Sequence, residues 1–126
     1  MKLRIKGNHI RLRLTQSEVN RLAEGESVSE STVLSILDSF GYRIRPWNLE
    51  VVECSFDENL LTVSVPASQV VTWANSDQVG IEASQENGLD EKLHILVEKD
   101  FTCLKARTGE DESDHFPNPL QSSEKC

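Results

Sequence analysis

Cysteine is scarce in this chain. Cys54, Cys103 and Cys126 are odd in number and irregularly spaced, so no disulfide framework is expected, and reduced thiols predict a cytoplasmic protein. No apolar run approaches the roughly 20 residues that cross a bilayer. The opening MKLRIKG has no apolar block behind its charges, so a secretory signal is not expected either. The chain also lacks a phosphate-binding glycine loop, a Cys-x-x-Cys pair, a Ser-His-Asp signature and the glycine turn of a calcium loop. These absences set aside nucleotide-loop, zinc-ribbon and EF-hand classes. No cofactor, metal, membrane or general nucleic-acid partner is predicted.

Positive charge is short overall but unevenly placed. The net charge is -8 over 126 residues, which offers phosphates no broad attractive field. Residues 1–46 nevertheless hold eight Lys/Arg against five Asp/Glu, whereas residues 47–126 hold five against sixteen. One local basic site is therefore compatible with an acidic protein.

What is present is a repeat. Residues 10–29, IRLRLTQSEVNRLAEGESVS, align without a gap on residues 61–80, LTVSVPASQVVTWANSDQVG, at an offset of 51. Ser17, Val19, Ala23 and Val28 meet Ser68, Val70, Ala74 and Val79, and most other pairs keep their class. The pattern predicts an internal duplication. Residues 1–107 form one domain with halves of about 1–46 and 47–107, and residues 108–126 form an acidic, flexible tail.

The elements follow from local periodicity. KLRIKGNHIRLRL reads as a hairpin, because Leu3, Ile5, Ile10, Leu12 and Leu14 alternate with Lys2, Arg4, Lys6, Arg11 and Arg13 about the Gly7-Asn8 turn. Thr15 and Glu18 have capping-box spacing. Val19, Leu22 and Ala23 then give a helix stripe ended by Gly25. Further strands are expected over 27–34, 42–45, 49–55, 60–65, 78–84 and 92–99, with a second helix after Pro66 carrying Val70 and Trp73 as core positions. The expected fold is α+β: a curved or barrel-like antiparallel sheet from a duplicated β-α-β-β-β unit with two short helices.

The candidate anion-binding residues are Lys2, Arg4, Lys6, Arg11 and Arg13, with Arg43 and Arg45 expected to join them. Clustered cations on neighbouring strands repel unless something offsets them. That role falls to bound phosphate, to the protein's own acids, or to water and salt. His94 and Glu98 share a strand face with Leu96 between them, which reads as a mixed structural face. Cys103 reads as a buried, inert thiol, whereas Trp47 is open to stacking on a ligand or partner. The acidic run Glu110–Asp114 is expected to fold back towards the basic face, with Phe116 covering an apolar patch.

The ends KLRIKGNHIRLRLT and ILVEKDFTCLKARTGEDESDHFPNP resemble those of a small uncharacterised bacterial protein family. At the level of architecture, the duplicated unit with a basic sheet face resembles the CYTH-like, or triphosphate tunnel, fold. Members of that fold close eight strands into a barrel that binds triphosphates through Lys and Arg and holds metal with Glu. Its alternating first-strand glutamates are absent here, since Lys2, Arg4 and Lys6 stand on that strand, so the resemblance implies the architecture and not the metal chemistry. The expected function is non-enzymatic binding of a protein partner or small anion through the basic face. The alternative is hydrolysis of phosphate or triphosphate esters.

Overall fold

A computed structural model describes residues 1–101 and 113–117. The first half contains β1 (Lys2–Lys6), β2 (His9–Leu14), α1 (Gln16–Ala23), β3 (Val28–Val33) and β4 (Ser39–Trp47). The second contains β5 (Glu53–Asp57), β6 (Leu60–Pro66), α2 (Ala67–Ala74), β7 (Gly80–Gln85) and β8 (Leu93–Lys99). The offset of 51 carries β1 onto β5 and α1 onto α2 without adjustment. The repeating unit is thus β-β-α-β-β rather than β-α-β-β-β, and the opening strand has its own counterpart in β5.

The fold is α+β, mostly strand, with two four-stranded mixed sheets ordered β1-β2-β8-β7 and β3-β4-β6-β5. Each sheet takes one hairpin from each half. Pairing inside a hairpin is antiparallel, as short turns require. The centre of each sheet is parallel, β2 on β8 and β4 on β6. This corrects the expectation of an all-antiparallel sheet. Each helix carries the chain from one sheet into the other, so the two hairpins of one half never become neighbours. They meet hairpins of the other half instead.

The sheets do not close into a barrel. Closure would need main-chain ladders between the edge strands β1 and β3 and between β5 and β7. Polar groups of other kinds span both seams. The Met1 amine lies 2.9 Å from the Glu30 carboxylate of β3 and 2.7 Å from that of Glu18 on α1. At the other seam Cys54 N donates to Gln85 Oε1 at 2.6 Å, and Gln85 Nε2 donates to Cys54 O at 2.9 Å. A side-chain amide stands there in place of a neighbouring strand.

One buried cluster joins inward residues of both sheets and both helices, among them Leu12, Ile44, Val63, Val97, Leu22 and Trp73. Leu22 and Trp73 occupy equivalent helix positions and the helices pack on each other. Trp73 satisfies its ring N–H by donating to Val79 O at 3.1 Å, so its burial leaves no orphaned donor. At the start of α1, Glu18 accepts from Thr15 N at 3.0 Å, as the capping-box spacing predicts.

The described part of the tail docks elsewhere than expected. Gln16 N donates to Asp114 O at 3.0 Å, and Ser17 donates to the Asp114 carboxylate through both its backbone amide and its hydroxyl. Orphan amides at a helix start offer a carboxylate fixed donors, which solvated lysine and arginine heads do not. Phe116 does pack against the core, edge-on to Phe101 at 5.8 Å. Residues 110–112, like Cys103, lie outside the described residues.

Candidate functional site

Alternation along β1 and β2 puts Leu3 and Leu12 on the inner face and the cations on the outer one. Register pairs Lys2 with Arg13, Arg4 with Arg11 and Lys6 with His9. Across the parallel centre, His9 pairs with His94, Arg11 with Leu96 and Arg13 with Glu98. Glu82 and Ser84 of β7 then lie opposite Leu96 and His94. The outer face is a grid whose cations sit on β1 and β2 and whose acids sit on β7 and β8.

Some of these cations are paired within the protein. Arg13 Nε lies 2.7 Å from Glu98 Oε1, Arg11 Nε lies 3.5 Å from the same oxygen, and Lys2 Nζ lies 3.5 Å from Asp100 Oδ2. Among the described residues Arg4 and Lys6 have no acidic partner. Two adjoining concavities of about 520 and 600 Å³ open here, and both are lined by His9 and Arg11. Arg4 and Lys6 line the larger, while Glu82, Ser84 and His94 line the smaller.

The two imidazoles at the shared rim form a pair that no local sequence pattern signals. His9 and His94 stack with ring centroids 4.5 Å apart and planes 17° from parallel. Ser84 Oγ lies 3.2 Å from His94 Nδ1 and holds that ring in place. The outward parity of both residues was readable from alternation. Their meeting was not, because it depends on the parallel pairing of β2 with β8.

Arg43 and Arg45 do not join this face. α1 has carried the chain into the other sheet, where Arg43 donates to Thr62 Oγ1 at 3.2 Å and Arg45 Nε donates to Ser64 Oγ at 2.9 Å. The Arg45 guanidinium also lies 3.7 Å over the Trp47 ring, so that ring already has a cation on one face. The predicted seven-residue cluster is five residues on one sheet and two on the other.

Chemistry elsewhere is sparse. Burial pushes the Cys54 thiol up to about 11, which disfavours the nucleophilic thiolate. No group of three His, Cys, Asp or Glu among the described residues is arranged to hold a metal ion. No helix among them is long and apolar enough to cross a membrane. The β3–β4 turn stands out for another reason: Leu34, Ile36 and Leu37 are exposed, Ile36 completely. The turn is held by Leu34 N donating to Asp38 O and Ser35 Oγ donating to Asp38 Oδ2, each at 2.8 Å.

These features define a small duplicated α+β protein of two stitched sheets with a polarised basic surface on one. The chain belongs to DUF7009, a family of unknown function, whose family model matches residues 1–120. Comparison with curated proteins and with solved structures finds no match for either. Nothing in these comparisons joins the chain to the CYTH-like fold.

Proposed function

We propose that this is a binding module of the cytoplasm that holds a small anionic group over Arg4, Lys6, His9 and Arg11. The observation that carries the reading is the direct cross-strand opposition of Arg4 and Arg11 beside Lys6, with Arg4 and Lys6 lacking acidic partners among the described residues. Like charges in such register destabilise a sheet. A phosphate or similar anion offsets that repulsion through the guanidinium forks, and the concavity over them gives it room.

The reading of a triphosphate-ester hydrolase draws no support from the inner faces. Positions 12, 14, 63 and 65, which would face a tunnel, are Leu12, Leu14, Val63 and Val65, all with zero exposure. A second reading, a protein partner, is favoured by the exposed apolar turn at Leu34, Ile36 and Leu37, since contiguous exposed apolar groups mark interaction surfaces.

A thermal-shift screen with phosphate, pyrophosphate and triphosphate, each with and without magnesium, separates these readings, because a ligand of the native state raises the melting temperature by mass action. Stabilisation without magnesium, weakening as salt screens the charges, is expected. Stabilisation that requires magnesium favours the hydrolase. A flat response favours the protein partner.

A further inference from the structure

We infer that the ligand of this face is a small zwitterion, with an anionic head over Arg4 and Arg11 and an ammonium group at Glu82. The inference rests on the anion-binding reading and adds the second charge. Register places Arg4, Arg11, Leu96 and Glu82 in one row across four neighbouring strands. Adjacent strands lie about 4.8 Å apart, so the backbones of Arg11 and Glu82 are roughly 10 Å apart. Leu96 forms a partly buried apolar floor between them, and both ends of that span line the same concavity of about 520 Å³.

The charges at the two ends are of opposite sign and unequally engaged. Arg11 shares Glu98 with Arg13 at a loose 3.5 Å, and its cross-strand neighbour Arg4 has no acidic partner among the described residues. Glu82 is exposed and has no ion pair among them either. An anion extended from the arginines towards β7 meets the Glu82 carboxylate and is repelled, which disfavours polyphosphates and nucleic-acid backbones. A ligand whose far end is an ammonium is attracted instead. Repulsion of the wrong ligand and attraction of the right one act at the same residue. A linker of two to four methylenes lies over Leu96, with the Ser84 hydroxyl and the His94 edge beside it. Long arginine and glutamate side chains shorten the gap that the linker must cover.

The test uses the full chain at low salt and compares aminoalkylphosphonates of two, three and four carbons with alkylphosphonates of the same lengths, by calorimetric titration. The amine should tighten binding by about two- to fivefold at the best length, the range expected of an exposed ion pair. In Glu82→Gln that advantage should vanish while alkylphosphonate affinity is kept or rises. Equal affinity of the two series for the native protein overturns the zwitterion inference and leaves the anion reading standing. So does an amine advantage that survives Glu82→Gln. If neither series binds, the anion reading fails and the inference fails with it.

Discussion

The two sheets are built from corresponding hairpins, and they differ almost entirely on the outside. Under the offset of 51, the register Lys2–Arg13, Arg4–Arg11 and Lys6–His9 on β1–β2 becomes Glu53–Ser64, Ser55–Thr62 and Asp57–Leu60 on β5–β6. Inward positions keep their character: Leu3 and Leu12 correspond to Cys54 and Val63, and Leu14 to Val65. Every cation of the first hairpin is replaced by an acid or a hydroxyl in the second. What the two copies keep in common is thus the inner face, which leaves the outer face free to take up chemistry. In one sheet that freedom produced a basic concavity. In the other it produced hydroxyls covered by Arg43 and Arg45.

The comparison can be broken most forcefully at the inner face. Trp73→Ala should cost about 3–5 kcal/mol and its counterpart Leu22→Ala about 2–5 kcal/mol, from lost burial plus the cavity left behind, read by urea unfolding. Retained stability in both would mean that the helix pair does not hold the sheets together. Next, giving the first hairpin the residue types of the second, with Arg4→Ser and Arg11→Thr together, should weaken phosphate binding at least about tenfold, or ~1.4 kcal/mol. Its melting temperature should hold or rise as like charges are removed. Undiminished phosphate binding would mean that the contrast between the sheets has no functional content.

How much of this was legible follows from sequence distance. The first hairpin, the Thr15–Glu18 cap and the burial of Trp73 were readable because alternation, capping and helix stripes act over a few residues. The duplication was readable because both copies repeat those local patterns. The parallel seams were not, since pairs such as Arg13 with Glu98, 85 residues apart, are set by which sheet a helix delivers the chain into. For the same reason local alternation groups Arg43 and Arg45 with the basic face and carries no sign of the His9–His94 pair, and the charge split points Asp114 to the cations rather than to α1.

The helix starts sharpen the comparison at smaller cost. α1 receives Asp114, whereas α2 has Pro66 at its N-cap position and no side-chain cap. Asp114→Ala should cost about 1 kcal/mol, typical of a lost cap. Hydrogen bonding from Ser17 holds the Asp114 carboxyl below its ordinary value of 3.8. Its contribution is therefore complete above that value and lost as pH falls through the lower, folded one. Acid unfolding of the native protein and of Asp114→Ala should converge at the lowest pH, and a constant gap between them would contradict the assignment.

The smallest effect lies in the hairpin turns. Gly7 and Glu58 hold equivalent positions with φ of 55° and 50°, a region that costs a residue bearing Cβ and costs glycine nothing. Glu58→Gly should stabilise the protein by about 0.5–1 kcal/mol, seen as a raised denaturation midpoint. An unchanged or lowered midpoint would show that the Glu58 side chain compensates for its backbone.

The exchange of hairpins between sheets also sets an order of events during synthesis. β1 and β2 leave the ribosome before the other strands of this fold, and the strand that completes their sheet's centre arrives some 85 residues later. At about 5–20 residues per second, the nascent basic hairpin waits several seconds with its aliphatic face uncovered. The first half cannot finish either sheet alone. Emergence of β8, rather than of the first half, is the step that permits both sheets to form, and a nascent chain that stops short of it exposes two unpaired hairpins to aggregation.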